Sequence, residues 1–124
     1  MVKAREAQTE WLAYLCMQEA GQLPVMVLGK AYKRGTDLTG GSPAILLKKI
    51  LDEYGVLAEQ WDPHVDGPLL SGKQPLVWRP SVFVVATHHD EFYEMEYPVG
   101  SIIIDPWGKM RDRAGVKVIR VGRR

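Results

Sequence analysis

The stretch from Leu23 to Pro63, LPVMVLGKAYKRGTDLTGGSPAILLKKILDEYGVLAEQWDP, constrains this chain more than any other. An apolar run, Val25 to Leu28, stops at Gly29 and gives way to a polar loop. Ser42 then stands where a side-chain oxygen can satisfy the first amides of a helix, and Pro43 takes the first helical position, where its missing N–H costs nothing. Ile45, Leu46, Ile50, Leu51 and Tyr54 recur at helical spacing on one side, with Lys48, Lys49, Asp52 and Glu53 on the other, and Gly55 supplies the stop. A second strand-like run, Leu57 to Trp61, ends in Asp62-Pro63. Strand, loop, helix, strand is the unit that builds a parallel sheet, and its crossover is expected to be right-handed.

The flanking segments extend the pattern. Ala4 to Ala20 predicts a helix with Trp11, Leu12, Leu15 and Met17 on its apolar side and Gly21 at its end. Cys16, between Leu15 and Met17, reads as a small buried hydrophobe rather than a catalytic thiol, because no activating partner stands nearby. From His64 to Ser81 the chain is punctuated by Gly67, Pro68, Gly72, Pro75 and Pro80, which leaves room for a short extended piece at Leu76 to Trp78 but not for a crossover helix of normal length. Val82 to Ala86 is a third core strand, Ser101 to Ile104 a fourth and Val116 to Val121 a last one. Phe92 to Pro98 has room for one helical turn, and Trp107 to Ala114 is polar and turn-rich. The expected architecture is a three-layer, Rossmann-like α/β fold with an open, mainly parallel sheet of about five strands.

A length of 124 residues suits one domain that buries its core without staples, and 46% hydrophobic with 25% charged residues is ordinary for a globule. The net charge of +1 gives no support for a dedicated nucleic-acid or membrane binder. No apolar run is long enough to span a bilayer, and the start MVKAREAQTE has no signal-peptide core. A single cysteine excludes an internal disulfide and fits a reducing compartment, so a cytoplasmic location is expected.

Ligands of open parallel sheets bind beyond the carboxyl ends of the strands. The segments that leave those ends here are Gly29 to Lys33, Asp62-Pro63, Thr87 to Asp90 and Asp105 to Lys109, so ionisable residues collect on that edge. Gly35 to Ser42 approaches the phosphate-loop pattern, but Gly41 stands where the diagnostic lysine belongs. Gly29 is followed by Lys30 and Tyr32 rather than by two more glycines, so no dinucleotide fingerprint is present. In His88-His89-Asp90-Glu91 adjacent side chains point different ways and lack metal-ligand spacing. The run reads as a strand-end loop with one histidine hydrogen-bonded and the other solvated, and no metal is expected. Seven basic residues against one acid crowd the last sixteen positions, which suits a solvated terminal strand or a local field for phosphates.

Taken in order, LGKAYKRGTDLTGGSPAILL, Asp62-Pro63, VVATHHDEF, IIIDPWG and VGRR resemble the C-terminal, UDP-binding domain of the UDP-glucose/GDP-mannose dehydrogenase family. The resemblance covers roughly residues 23–124, with 1–22 as a linker-like leading helix. Gly29, Ala31, Tyr32 and Lys33 match the family's G-x-A-[FY]-K, which implies that Tyr32 and Lys33 lie against a nucleotide sugar. Thr36, Asp37, Ser42, Pro43 and Ala44 match T-[DN]-D-x-R-x-S-P-A, with Leu38 for the second acid and Gly40 for the arginine. Thr87, His89 and Phe92 match T-x-H-x-x-F, and Asp105 matches D-x-R with Trp107 at the arginine position. Each missing arginine removes a charge-assisted phosphate contact worth about 1.5 to 3 kcal/mol.

The resemblance implies a domain that binds a UDP-sugar or another nucleotide sugar through Tyr32, Lys33, Ser42, Asp105 and Trp107. NAD and the catalytic cysteine of such enzymes belong to parts this chain does not match, so alone it is expected to transfer no hydride and to hold no cofactor. A separate dehydrogenase subunit or a second copy is the implied protein partner. The alternative is a free-standing α/β interaction module that keeps the fold and has lost the nucleotide site, and Gly40 and Trp107 are the residues that favour it.

Overall fold

The computed structural model describes residues 4–31, 35, 39–40, 42–66 and 79–121, with side chains from Gln8 onward. Five parallel strands, β1 Val25–Leu28, β2 Ala58–Trp61, β3 Val82–Val85, β4 Ile102–Asp105 and β5 Lys117–Arg120, lie in the order β2-β1-β3-β4-β5. In the ladder Leu28 stands opposite both Trp61 and Val85, and Asp105 stands opposite Arg120. The expected five-strand parallel α/β architecture is therefore what the chain adopts. Strand order reverses at β1, because the chain runs outward to β2 and then crosses back to β3. In open α/β sheets the carboxyl edge at such a reversal is where ligands bind.

All four residues of both β1 and β3 are buried, since both sides of the sheet are covered. Alternate side chains supply two cores. Val25, Val27, Val82, Val84 and Ile104 pack under α1 Ala4–Ala20 and α2 Pro43–Glu53. Met26, Leu28, Phe83, Val85 and Ile103 meet Trp61, Phe92, Tyr97 and Met110 on the other side, where the helices α3 Pro63–Asp66 and α4 Asp90–Glu94 are single turns.

The helices sit where the sequence places them. Ile50 and Leu51 are buried as expected, and Leu12, Leu15, Met17 and Leu46 pack partly buried against the core, but the centre of each buried face is shifted. In α1 the buried residues are Thr9, Ala13, Cys16 and Ala20, whereas Trp11 is 54% exposed. Small side chains let α1 lie close against α2 and the sheet, and the larger apolar residues are left at the margins. In α2 the buried set is Ala44, Leu47, Ile50 and Leu51 rather than Ile45 and Tyr54, both of which are exposed. Tyr54 instead caps the helix and brings its hydroxyl within 2.8 Å of the Tyr14 hydroxyl. The helical turn foreseen within Phe92 to Pro98 begins earlier, at Asp90, because His89 provides the N-cap position. A further turn at Pro63–Asp66 succeeds the Asp62-Pro63 corner. The extended piece expected at Leu76 to Trp78 lies outside the described residues.

Candidate functional site

The exits of β1, β2 and β3 are locked together by one carboxylate. Asp62 Oδ2 accepts the backbone N–H groups of Lys30 at 2.6 Å and Ala31 at 2.9 Å, and Oδ1 accepts that of His64 at 2.8 Å. His89 Nε2 lies 3.0 Å from the same Oδ2, and both side chains are fully buried. His89 Nδ1 accepts the Gly35 N–H at 2.9 Å, so the ring proton sits on Nε2 and is donated to Asp62. Burial pushes the Asp62 carboxyl up, but the amides of Lys30, Ala31 and His64, with His89, outweigh it and hold the group below its ordinary value.

Two hydroxyls complete this frame. The Ala31 carbonyl accepts Thr87 Oγ1 at 2.7 Å and Ser42 Oγ at 3.2 Å, while Ser42 Oγ accepts the Ala44 N–H at 3.1 Å and caps α2. Gly29 has φ +118°, and a Cβ there would stand 2.5 Å from Thr87 Oγ1, so only glycine permits β1 and β3 to leave the sheet side by side. In a dinucleotide site the amides of this turn face a pyrophosphate. Here Asp62 already takes those of Lys30 and Ala31, and Thr87 fills the space beside Gly29. The turn does not fit NAD, and no step through NAD is assigned to this chain.

Beside the frame a cavity of about 450 Å³ opens at the carboxyl edge. Its lining combines Trp11 and Leu12 of α1, Pro43 and Leu47 of α2, and His88 and Trp107 from the exits of β3 and β4. Trp107 donates its indole N–H to the Val85 carbonyl at 3.2 Å and its backbone N–H to Asp105 Oδ1 at 2.9 Å. The His88 ring stacks on the indole at 4.1 Å between centroids and 11° between planes. Lys109 Nζ lies 3.4 Å from His88 Nδ1, which places a cation beside the stacked pair.

The residues assigned from sequence fall into three groups. Trp107 lines the cavity. Ser42 and Asp105 are buried and serve the loops: Asp105 Oδ2 accepts the N–H groups of Lys109 and Met110, both at 2.6 Å, and Oδ1 also accepts the Tyr93 hydroxyl at 3.2 Å. Burial, with the neighbouring Asp105 charge, pushes the Tyr93 phenol up. Tyr32 and Lys33 lie outside the described residues, as do Thr36, Asp37 and Leu38.

Sequence reasoning did not pair Asp62 with His89 and did not place Trp11 or His88 in the cavity. The adjacency of His88 and His89 carried part of that signal, because neighbours leaving a strand face opposite ways. The same fold brings His64, His89 and Glu91 within 4.8 Å of one another, with His64 Nε2 at 3.1 Å from Glu91 Oε2. Both ring nitrogens of His89 are already bonded, so a metal ion there would have to displace Asp62 or Gly35. The basic terminal segment is partly spent inside the fold. Arg113 donates to the carbonyls of Met95 and Tyr93, Arg120 to that of Met110 and to Asp112, and Lys117 pairs with Glu19.

No model of a known protein family matches the sequence, and no curated protein matches it. Solved structures do. UDP-N-acetyl-mannosamine dehydrogenase from Staphylococcus aureus aligns with a TM-score of 0.72 at 19% identity, over 92% of this chain and 30% of that one. UDP-D-ManNAc dehydrogenase from Pyrococcus horikoshii gives 0.69 at 26% identity, over 92% and 31%. GDP-mannose dehydrogenase from Pseudomonas aeruginosa gives 0.67 at 21%, over 91% and 31%. Among the described residues no helix is long and apolar enough to cross a membrane. The chain is thus similar in structure to a portion of UDP-sugar and GDP-mannose dehydrogenases that makes up less than a third of their length, consistent with a C-terminal domain of those proteins.

Proposed function

We propose that this chain is a nucleotide-sugar-binding domain related to the C-terminal part of the UDP-glucose/GDP-mannose dehydrogenases, and that it is not catalytic alone. The observation that carries the reading is the cavity at the carboxyl edge of a sheet whose fold matches, over 92% of this chain, enzymes named for UDP sugars. Lys33, with Tyr32 beside it, is the proposed phosphate partner, since both come after β1 in the family's G-x-A-[FY]-K pattern. Hydride transfer with NAD would fall to a separate catalytic domain. The buried, unpaired Cys16 suits a reducing, cytoplasmic setting.

A thermal-shift series with UDP, UDP-glucose, UDP-N-acetyl-mannosamine and GDP-mannose tests the reading. A ligand at a hundredfold its Kd adds about 2.7 kcal/mol of stability, so a rise in Tm with at least one of them is expected. A flat series up to millimolar ligand would contradict it. A second reading, an interaction module that has lost the nucleotide site, is favoured by the exposed aromatic side chains Trp11, Tyr14 and Tyr54 along α1 and α2. Its partner would be a dehydrogenase subunit or a second copy of the chain.

A further inference from the structure

The cavity wall has a chemistry that the phosphate-centred motifs do not account for. Trp107 occupies the place of a phosphate-binding arginine in the resembled pattern, yet its orientation is fixed from two sides, by Val85 through the indole N–H and by Asp105 through the backbone. His88 lies flat on it, and Leu12, Leu47 and Val85 supply apolar surface around the pair. At the turn after β1 the Lys30 and Ala31 amides that would meet an anion are committed to Asp62. The Trp107 wall of the cavity is therefore better suited to a flat, uncharged ring than to a phosphate.

We propose that the cavity between α1 and the exits of β3 and β4 takes the planar base of a nucleotide, stacked on the Trp107–His88 pair, with the phosphate running toward Lys109. This deepens the nucleotide-sugar reading and rests on it. The volume of about 450 Å³ falls within the range of ligand sites and accommodates a nucleoside. Stacking on an aromatic side chain tolerates any base, because every base has a π face. A shelf already held by Val85 and Asp105 loses little freedom when it binds. Lys109 Nζ, 3.4 Å from His88 Nδ1, stands close enough to the stack to meet the first phosphate of a seated nucleotide.

Calorimetric titration of the full chain with uridine, UMP, UDP-glucose and inorganic pyrophosphate tests this. UMP is expected to keep most of the affinity of UDP-glucose, and pyrophosphate is expected to bind far more weakly than either. Trp107→Ala should weaken UMP at least tenfold while Trp107→Phe retains most of the binding, and Lys109→Ala should weaken UMP but leave uridine unchanged. Melting curves establish that each variant is folded, and the phenylalanine variant keeps the test decisive if the alanine variant is not. Unchanged UMP affinity in folded Trp107→Ala, or pyrophosphate binding as tight as UMP, would overturn the stacking site. If UDP-glucose binds but Trp107→Ala has no effect, the nucleotide-sugar reading stands and the stacking falls. If uridine and UMP bind but UDP-glucose does not, the stacking stands and the sugar reading falls. Silence from every probe overturns both.

Discussion

Asp62 Oδ2 and His89 Nε2 meet at 3.0 Å with both side chains fully buried, and through them the exit of β2 is tied to the exit of β3 across β1. The carboxylate also holds three backbone amides, so its removal strands several donors at once. Hydrogen bonds to a charged group contribute about 1.5 to 3 kcal/mol each, and each buried donor left unsatisfied costs about 1 to 3 kcal/mol. Asp62→Ala is expected to lower stability by about 3 kcal/mol or more in urea unfolding at pH 7, and a loss under 1 kcal/mol would show that the frame is not built on this group.

The same carboxylate sets an acid limit. Its value in the fold lies below the 3.8 of an unperturbed aspartate, so its ionised form stabilises the protein fully above that pH. That contribution is lost as pH falls from about 4 through the lower folded-state value. Urea midpoints measured between pH 6 and pH 2 should fall more steeply for the wild type than for Asp62→Asn, and parallel curves would contradict the assignment.

Gly29 lies directly against Thr87, with no space for a side chain between them. At φ +118°, with a Cβ 2.5 Å from Thr87 Oγ1 and 2.7 Å from the Thr87 backbone nitrogen, Gly29→Ala is strained both in its own torsion and against a neighbour that cannot retreat. A loss of about 2 to 4 kcal/mol is expected. Because the nitrogen remains, adding Thr87→Ala should not restore stability, and recovery in the double variant would place the strain in the side chain alone.

Strand positions were legible because β1, β3 and β4 are continuous apolar runs ended by glycine, threonine or aspartate, and α2 was legible through Ser42, Pro43 and Gly55. Helix faces were less so. In α1 the buried stripe is Thr9, Ala13, Cys16 and Ala20, whose small size hides it behind the larger Trp11, Leu12 and Leu15 when hydrophobicity alone is read. The carboxyl edge could be placed from topology, and Trp107 with it. The Asp62–His89 pair could not, because it joins residues 27 apart through a strand order that only the fold supplies.

Cys16 owes its chemistry to that close packing. The thiol is fully buried, and burial pushes it up to about 12. It should resist thiol reagents at pH 8 in the folded protein and react at the rate of unfolding, which stopped assays with an aromatic disulfide reagent measure directly. Cys16→Leu should destabilise by about 1 to 3 kcal/mol because α1 has no room for the added carbons between Ala13 and Ala20. Rapid labelling of native protein would show that α1 does not stay docked.

The central claim is nucleotide-sugar binding at the carboxyl edge, and isothermal titration of UDP-N-acetyl-mannosamine and UDP-glucose into the wild type, Lys33→Ala and Gly40→Arg tests it most directly. Saturable binding is expected in the wild type with at least one sugar nucleotide, weakened about tenfold or more in Lys33→Ala, which corresponds to the loss of roughly 1.4 kcal/mol. Gly40→Arg should tighten it by restoring a charge-assisted contact. No measurable heat of binding in any of the three proteins would contradict the claim, and equal affinity in the wild type and Lys33→Ala would remove Lys33 from the site.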